Sequence, residues 1–227
     1  MFKTETHLHV AEVSPCANIR AGEMVRHYNE AGYKTVFVSD HYDASKFNML
    51  GDIPWQEKTS ILMSGYYRAK EAGKKYGMNI LLAAEIMFEG CGNHYLVYGI
   101  TKAFMDEYPE FYKMKVEEFA EIAKAHNLFI IQAHPYRDGR NFPTPEFVDG
   151  MEVYNSNPRH DDSDEKSELV AKENGLYMIG GSDAHRLEDV GGSGILSEFE
   201  IKTTEDFISA VKSGKIEIIR KPEEGML

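Results

Sequence analysis

The stretch Leu128-Phe129-Ile130-Ile131-Gln132-Ala133-His134-Pro135 decides the fold of this chain. Its first five residues are mostly apolar, β-branched or aromatic, and they are too few for a core helix, so they predict a buried strand. A histidine and a proline follow directly after the apolar run. The stretch therefore combines a buried strand with a polar side chain at its carboxyl end.

Six further short runs predict strands, and amphipathic stretches lie between them. The runs span residues 4–10, 35–39, 80–85, 95–100, 151–154 and 176–180. Helical spacing and glycine or threonine boundaries predict helices over residues 21–31, 59–76, 111–126, 164–174 and 204–213. Alternation of strands and helices is typical of an α/β protein with a largely parallel sheet. We expect one domain over residues 1–220, followed by a loose tail at 221–227.

Polar side chains recur where these strands end. They are His7, His9, His41, Glu85, His134, Asp183 and His185, while His94 precedes the strand at 95–100. In α/β barrels the carboxyl ends of strands meet at one mouth, so these side chains are expected to face a common space. His27 and His126 fall within predicted helices and are interpreted as surface or core-edge residues. Cys16 and Cys91 are interpreted as inert thiols.

A metal site follows from crowding these groups together. Imidazoles and carboxylates at low dielectric repel one another or stay unsatisfied unless a cation joins them. Neutral imidazole nitrogen and carboxylate oxygen suit zinc, manganese or iron. On an extended strand, His7 and His9 point to the same face because side chains alternate with period two. A single His-x-His pair is a weak signal, and the prediction depends on the whole set.

Composition excludes several function classes. The 227 residues carry 25 Lys and Arg against 37 Asp and Glu, a formal net charge of −12. A general nucleic-acid binder would need a basic surface, so general nucleic-acid binding is not expected. No apolar run approaches the roughly 18 residues that span a bilayer, and the first residues are polar. We therefore expect a soluble, cytoplasmic protein that does not bind membranes; its oligomeric state stays open.

The order of these motifs resembles the PHP superfamily, named for polymerases and histidinol phosphatases. The resemblance spans His7-Leu8-His9, Ser39-Asp40-His41, Glu85, His94, His134-Pro135 and Ser182-Asp183-Ala184-His185. It implies a distorted (β/α)7 barrel of seven strands and two to three divalent ions (Zn, Mn or Fe). By resemblance, His7, His9, Glu85 and Asp183 bind one ion, and Glu85 bridges to a second ion held by His94 and His134. His41 and His185 hold a third. Separately from the resemblance, we expect Asp40 to orient a ligand.

The chain departs from the family pattern at one position. Many members place His or Asp six residues after the second histidine of the opening motif, where this chain has Pro15. Glu12 is the nearest substitute, and we expect it to complete the third site. The alternatives are that this site is weak, or that Glu12 is a loop carboxylate bonded to backbone.

The resulting hypothesis is hydrolysis of a small-molecule phosphomonoester by a metal-bound hydroxide at a di- or trinuclear site. Its catalytic residues would be Glu85, Asp183 and His185. Basic residues near the mouth would hold the phosphate: Arg159, His160 and Arg186, with Arg137 and Arg140 interpreted as surface salt bridges. The alternatives are a PHP-type nuclease or phosphodiesterase, against which the net charge weighs, and a non-catalytic metal-binding regulatory module.

Overall fold

A computed structural model describes residues 1–221, and all seven predicted strands are present in it. Ten strands lie within the described residues: β1 (Phe2–Leu8), β2 (Tyr33–Val38), β3 (His41–Asp43), β4 (Asn79–Met87), β5 (His94–Tyr98), β6 (Phe129–Ala133), β7 (Gly150–Asn155), β8 (Tyr177–Gly181), β9 (Gly194–Ser197) and β10 (Ile216–Ile219). That residues 1–220 form a single domain stays a prediction. The tail predicted at 221–227 lies, from residue 222 onward, outside the described residues.

The sheet curls until its last barrel strand lies beside its first. The order is β10-β9-β1-β2-β4-β5-β6-β7-β8, and β3 pairs with the end of β4. A parallel bridge joins Leu8 to Ala184, and the His9 amide donates to the Ala184 carbonyl at 2.9 Å. Strands β1, β2, β4, β5, β6, β7 and β8 thus form the nearly closed barrel that the sequence predicts. Strands β9 and β10 extend the sheet outward from β1 by antiparallel pairing.

Strand β5 runs against its neighbours, and this reversal matters for the site. It pairs antiparallel with both β4 and β6, where His94 lies opposite Met87 and Ala133. The first residue of β5 therefore lies at the same edge as the carboxyl ends of the parallel strands. This explains how a histidine that precedes its strand joins residues that follow theirs.

Eight α-helices cover the described part of the sheet. They are α1 (Ala21–Glu30), α2 (Ala44–Met49), α3 (Trp55–Leu62), α4 (Ser64–Tyr76), α5 (Lys102–Glu107), α6 (Val116–Ala125), α7 (Asp164–Glu173) and α8 (Thr204–Lys212). The predicted helix 59–76 is two helices that meet at Met63. The predicted helix 111–126 begins only at Val116, because Lys115 is extended and separates it from a 3-10 turn at Phe111–Lys113. None of these helices has both the length and the apolar character that crossing a bilayer requires.

The end of the barrel opposite the polar residues is apolar. Phe37, Phe129, Phe207 and Tyr98 are almost completely buried there, and their rings pack against one another. Phe207 belongs to α8, which therefore closes this end. Burial of each such aromatic side chain contributes on the order of 2–3 kcal/mol to folding. The apolar plug leaves the carboxyl ends of the strands free to carry polar groups.

Candidate metal centre

The structure gathers eight predicted ligands at the carboxyl end of the barrel. Four overlapping groups each bring three potential ligand atoms within 4.8 Å of one another: His9, His41 and His185; His7, His9 and Glu85; His7, His134 and Asp183; and His41, Glu85 and His94. His7, His9, Glu85, His134 and Asp183 are at most 1% exposed. The predicted common space therefore exists, and five of its groups are removed from solvent.

Glu85 lies at the centre of the cluster. Its Oε1 atom is 2.9 Å from His94 Nδ1 and 2.9 Å from His134 Nε2. Its Oε2 atom is 2.7 Å from His41 Nδ1 and 3.3 Å from His9 Nε2. The two oxygens of one carboxylate thus face different pairs of histidines.

Asp183 occupies a similar position between β1 and the end of β8. Its Oδ1 atom is 3.4 Å from His7 Nε2 and 3.2 Å from His9 Nε2. Its Oδ2 atom accepts a 2.7 Å hydrogen bond from Arg137 Nη1 and a 3.3 Å hydrogen bond from Asn157. One oxygen therefore faces the histidines while the other is held in place by donors.

Two of the clustered residues have left-handed backbone conformations. The φ angle is 29° at His134 and 49° at Asp183. Neither residue is glycine, so each conformation costs on the order of 1–3 kcal/mol, which the surrounding structure must offset. His134 directly follows β6, and Asp183 is the second residue after β8, so the turns at these strand ends direct both side chains into the barrel mouth.

Burial and charge act in opposite directions on the carboxylates. Burial raises the pKa values of Glu85 and Asp183, but nearby histidines and an arginine outweigh it and hold both pKa values well below their usual ranges. These groups are His94, His41 and His7 around Glu85, and His7 and Arg137 around Asp183. Both carboxylates are therefore ionised at neutral pH, as metal ligation requires.

The pKa values of His7, in β1, and His9, just after it, are shifted in opposite directions. Burial lowers the pKa of His7, but the charges of Glu152, Asp183 and Glu85 outweigh it and raise the pKa well above its usual value. Burial and the nearby His41 and His185 hold the pKa of His9 well below its usual value. A cation that entered the cluster would take the place of the proton held by His7.

The donor set fits a divalent transition metal. His9 Nδ1 and His134 Nδ1 are buried and have no hydrogen-bond partner within residues 1–221. His7 Nε2 and His9 Nε2 lie 3.1 Å apart, a close approach of two imidazole nitrogens that a shared cation would favour. Imidazole nitrogen with carboxylate oxygen matches the preferences of zinc, manganese and iron.

Glu12 is placed elsewhere. Its Oε2 atom accepts a 2.9 Å hydrogen bond from the Ala21 amide at the start of α1, where the helix dipole favours a carboxylate. It belongs to none of the ligand groups in the described residues. The expectation that Glu12 replaces the missing ligand is thus corrected to the alternative, a loop carboxylate bonded to backbone.

Cys16 lies beside the site instead. Burial raises the pKa of its thiol, but hydrogen bonds with His185 and His41 outweigh it and lower the pKa to about 6. That Cys16 is an inert thiol stays a prediction, although a lowered pKa is typical of a reactive sulfur. Cys91 contacts Tyr95 and the Asn93 amide.

Sequence reasoning did not identify Glu152, a buried glutamate of β7. Its Oε1 atom is 3.0 Å from His7 Nδ1, and its Oε2 atom accepts a 3.0 Å hydrogen bond from the His134 amide. Gly181 makes this approach possible, since a Cβ atom there would lie 2.7 Å from His7 Cβ. Glu152 therefore orients two predicted ligands at once. An acidic residue within an otherwise apolar strand was the available signal.

The predicted phosphate-binding residues differ in whether their side chains are already paired with a carboxylate. Arg159 donates to both oxygens of Asp189 at 2.8 and 2.7 Å, so its guanidinium is already paired. His160 lies 3.0 Å from Asp138 Oδ2. Arg186 is 3.8 Å from Glu188 Oε1, too far for a hydrogen bond, and its side chain is 45% exposed.

Arg137 is not a surface residue. Its guanidinium is 15% exposed and donates to Asp162 as well as to Asp183. This guanidinium therefore helps to position a predicted metal ligand.

Asp40 bonds to the loop that follows β1. Its Oδ1 atom accepts hydrogen bonds from the Val10 amide and the Ser14 hydroxyl. It therefore holds the loop after β1, whereas we expected it to orient a ligand.

The comparisons with known proteins agree with this fold. Residues 163–216 match a family model described as PHP-associated. No curated protein is significantly similar to the chain in sequence. The fold is similar to a two-domain protein from Bacteroides vulgatus that contains a predicted PHP-like metal-dependent phosphoesterase, at 16% identity and a TM-score of 0.66, over 96% of this chain. The chain spans 64% of that protein.

Two further structures are similar. PsfC from Pseudomonas syringae aligns with 98% of this chain and 92% of its own, at 16% identity and a TM-score of 0.67. The lesion-specific endonuclease EndoQ from Pyrococcus furiosus aligns with 96% of this chain and 57% of its own, at 14% identity and a TM-score of 0.62. At these identities the similarity establishes the fold, so the reaction must be argued from the site.

Proposed function

We propose that this chain, which belongs to the PHP superfamily, hydrolyses phosphomonoesters with two to three divalent transition-metal ions held at the barrel mouth. The observation that carries the proposal is the position of Glu85, whose two oxygens face two different pairs of histidines. An imidazole offers one free nitrogen, but a carboxylate can serve two cations. Glu85 is therefore the group best placed to bridge two ions.

The remaining clustered residues would divide around that bridge. His94 and His134 lie on the Oε1 side, and His41 and His9 lie on the Oε2 side. Zinc, manganese or iron bound there would polarise the phosphate and lower the pKa of water, which supplies the nucleophile at neutral pH. Asp183 and His185 complete the set as the other predicted catalytic groups. Glu152 and Arg137 hold His7, His134 and Asp183 in position.

Arg186 is the best candidate to bind the phosphate of the substrate. It follows the ligand His185 directly, and its guanidinium makes no short contact with a carboxylate in the described residues. A free guanidinium offers phosphate a bidentate pair of donors. Arg159, by contrast, would have to leave Asp189, so its role is to fix the turn that carries Arg186.

The overall charge favours a small substrate. A net charge of −12 repels a polyanion over distances of about a Debye length, whereas a single phosphate can be neutralised locally by the metal centre and Arg186. A phosphomonoester of small size therefore fits better than a nucleic acid. The similarity to EndoQ, an endonuclease, is the reason to test nucleic acid directly.

A substrate panel tests the proposal. The protein is freed of metal, reloaded separately with zinc, manganese or iron(II), and assayed with a phosphomonoester, a phosphodiester and single-stranded DNA. We expect turnover of the monoester, loss of that turnover with chelator, and at most weak turnover of the other two. Preferential cleavage of the diester or of DNA would overturn the phosphomonoesterase assignment in favour of a nuclease. No turnover at full metal occupancy would favour a regulatory module.

A further inference from the structure

Strand β1 changes its neighbour along its length. Its first three residues pair with β9, and this pairing ends at Thr4. Leu8 is bridged instead to Ala184, beyond the end of β8. The register between β1 and β2 is also irregular between Glu5 and Leu8. The predicted ligand His7 therefore lies where the regular pairing of β1 is interrupted, at the junction with the end of β8 that we call the seam.

One buried side chain supplies an acceptor at this interruption. Glu5 is completely buried, and its Oε1 atom accepts hydrogen bonds from the amides of Thr6 and His7, both at 2.9 Å. The same oxygen accepts from the Ser182 amide at 3.0 Å, across the seam. Because a buried amide without an acceptor is costly, three amides that share one oxygen fix the backbone around it.

The second oxygen of Glu5 ties the seam to α1. Its Oε2 atom accepts from the Tyr28 hydroxyl at 2.9 Å, and that hydroxyl lies 2.7 Å from Ser182 Oγ. Ser182 Oγ also lies 3.3 Å from the His7 carbonyl oxygen, to which its hydroxyl can donate. All four residues of this network are completely buried. The carboxylate is therefore held on both of its oxygens, and it holds both sides of the seam.

The seam carries predicted ligands on both sides. Asp183, on the β8 side, has its Oδ1 atom 3.4 Å from His7 Nε2 and 3.2 Å from His9 Nε2, on the β1 side. The Oε1 atom of Glu5 holds the amides of His7 and Ser182, and Ser182 directly precedes Asp183. The spacing between the ligands of the two strands therefore depends on this oxygen in addition to the backbone bridge between the strands.

We propose that Glu5 is a positioning residue of the metal centre, which sets His7 and Asp183 at the separation that one cation requires. The proposal rests on the metal centre of the proposed function and goes beyond it, because Glu5 belongs to none of the ligand groups in residues 1–221. It acts through the position of an acceptor oxygen and not through its charge. A side chain of the same shape should therefore replace it, and a shorter one should not.

Zinc affinity tests the role without any measurement of turnover. Metal-free protein is titrated with zinc against a chromophoric chelator. Glu5→Ala should lower the affinity by about tenfold or more, as loss of a group that orients metal ligands does. Glu5→Gln keeps an oxygen for the three amides and should stay within about threefold of the wild type. Tyr28→Phe leaves that oxygen in place and should lower the affinity less than Glu5→Ala.

A variant at the other end of the barrel separates positioning from loss of stability. Phe207→Ala removes a buried ring of the apolar end, far from the seam, and should bind zinc as the wild type does at a temperature where it stays folded. Cobalt(II) gives a second readout, because its visible bands depend on the geometry of its ligands. At saturating cobalt these bands should shift in Glu5→Ala and stay unchanged in Phe207→Ala and Glu5→Gln.

Three results would each overturn the proposal. They are wild-type zinc affinity in Glu5→Ala, an equal loss in Glu5→Gln, which would assign the effect to charge, and an equal loss in Phe207→Ala, which would assign it to stability. If Glu5→Ala does not fold, Glu5→Asp replaces it, since a carboxylate shorter by one carbon cannot hold the Ser182 amide and the Tyr28 hydroxyl together. Glu5→Asp should then lose about tenfold in affinity, and wild-type affinity in it would overturn the proposal.

The fate of the proposed function is read separately. A wild-type protein that binds zinc, loses affinity in Glu5→Ala and hydrolyses no phosphomonoester would support the positioning role and contradict the proposed function. Turnover by a wild-type protein whose zinc affinity does not change in Glu5→Ala would do the reverse. A wild-type protein that binds no zinc, cobalt, manganese or iron(II) would overturn both.

Discussion

The two ends of the barrel are built on the same strands but from opposite chemistry. Strand β4 carries Ala83 in the apolar plug and Glu85 in the cluster, only two residues apart. Strand β6 carries Phe129 in the plug, and His134 follows the strand at the mouth. The difference shows that stability and chemistry are separated along each strand. Replacements in the apolar plug should therefore affect stability, and replacements at the mouth should affect metal binding.

The largest expected effect is at the centre of the mouth. Glu85→Ala should remove the group that faces both pairs of histidines, so two ions should be lost and turnover should fall by about a thousandfold or more, since bound metal supplies several kcal/mol. His94→Ala should lose mainly one ion, because His94 contacts only one oxygen of Glu85. Metal analysis and turnover of both variants provide the comparison. Equal metal loss in the two variants would contradict a bridging role.

A replacement in the apolar plug should lower stability and leave metal binding unchanged. Phe207→Ala leaves a cavity against Phe37, Phe129 and Tyr98 and should lower the free energy of unfolding by about 3–5 kcal/mol. Its metal content and kcat should match the wild-type values at a temperature where it stays folded. Denaturant unfolding and metal analysis of the same sample check this prediction. A loss of metal without a loss of stability would show that the two ends are not separate.

The contrast between the ends also explains what the sequence could predict. The seven barrel strands are evident because each is a short apolar run, and the ligands are evident because each lies next to such a run. Strands β9 and β10 have four residues each and were missed, as was the three-residue β3. Short strands form by pairing with an existing sheet edge, and their own residues carry too weak a pattern to be recognised.

Two residues of the mouth required the folded chain. Arg137 reaches Asp183 across 46 positions, and Glu152 reaches His7 across 145. Spacing along the sequence does not encode such distances. Glu12 shows that closeness in sequence does not ensure closeness in the fold. It lies three residues before Pro15, where many family members have a ligand, yet its carboxylate caps α1.

Arg159 and Arg186 provide a matched pair within the mouth. Arg186→Ala should raise KM for a phosphomonoester by about tenfold with kcat and metal content unchanged, since a charge-assisted hydrogen bond contributes about 1.5–3 kcal/mol. Arg159→Ala should act on stability instead, because its partner Asp189 holds the backbone amides of His185 and Arg186. Steady-state kinetics and thermal unfolding separate the two effects. A larger KM change in Arg159→Ala would reverse the assignment.

The smallest expected effect is a pH dependence at the start of α7. Burial raises the pKa of Asp164 to about 7, although a hydrogen bond from the Asn155 amide lowers it. A carboxyl whose folded pKa is raised contributes stability below its unfolded pKa, and this contribution is lost as pH rises through about 7. As pH rises from 4 to about 7, the free energy of unfolding of Asp164→Asn should therefore increase relative to that of the wild type. Denaturant unfolding of the chelated proteins checks this, and a constant difference over this range would contradict it.

Elemental analysis tests most directly whether the mouth is a multinuclear metal centre. Protein purified without chelator, and the same protein reconstituted with zinc, manganese or iron(II), is measured for ions per chain. We expect about two to three ions per chain from the ligand set at the mouth. Less than about one ion per chain after reconstitution would contradict it.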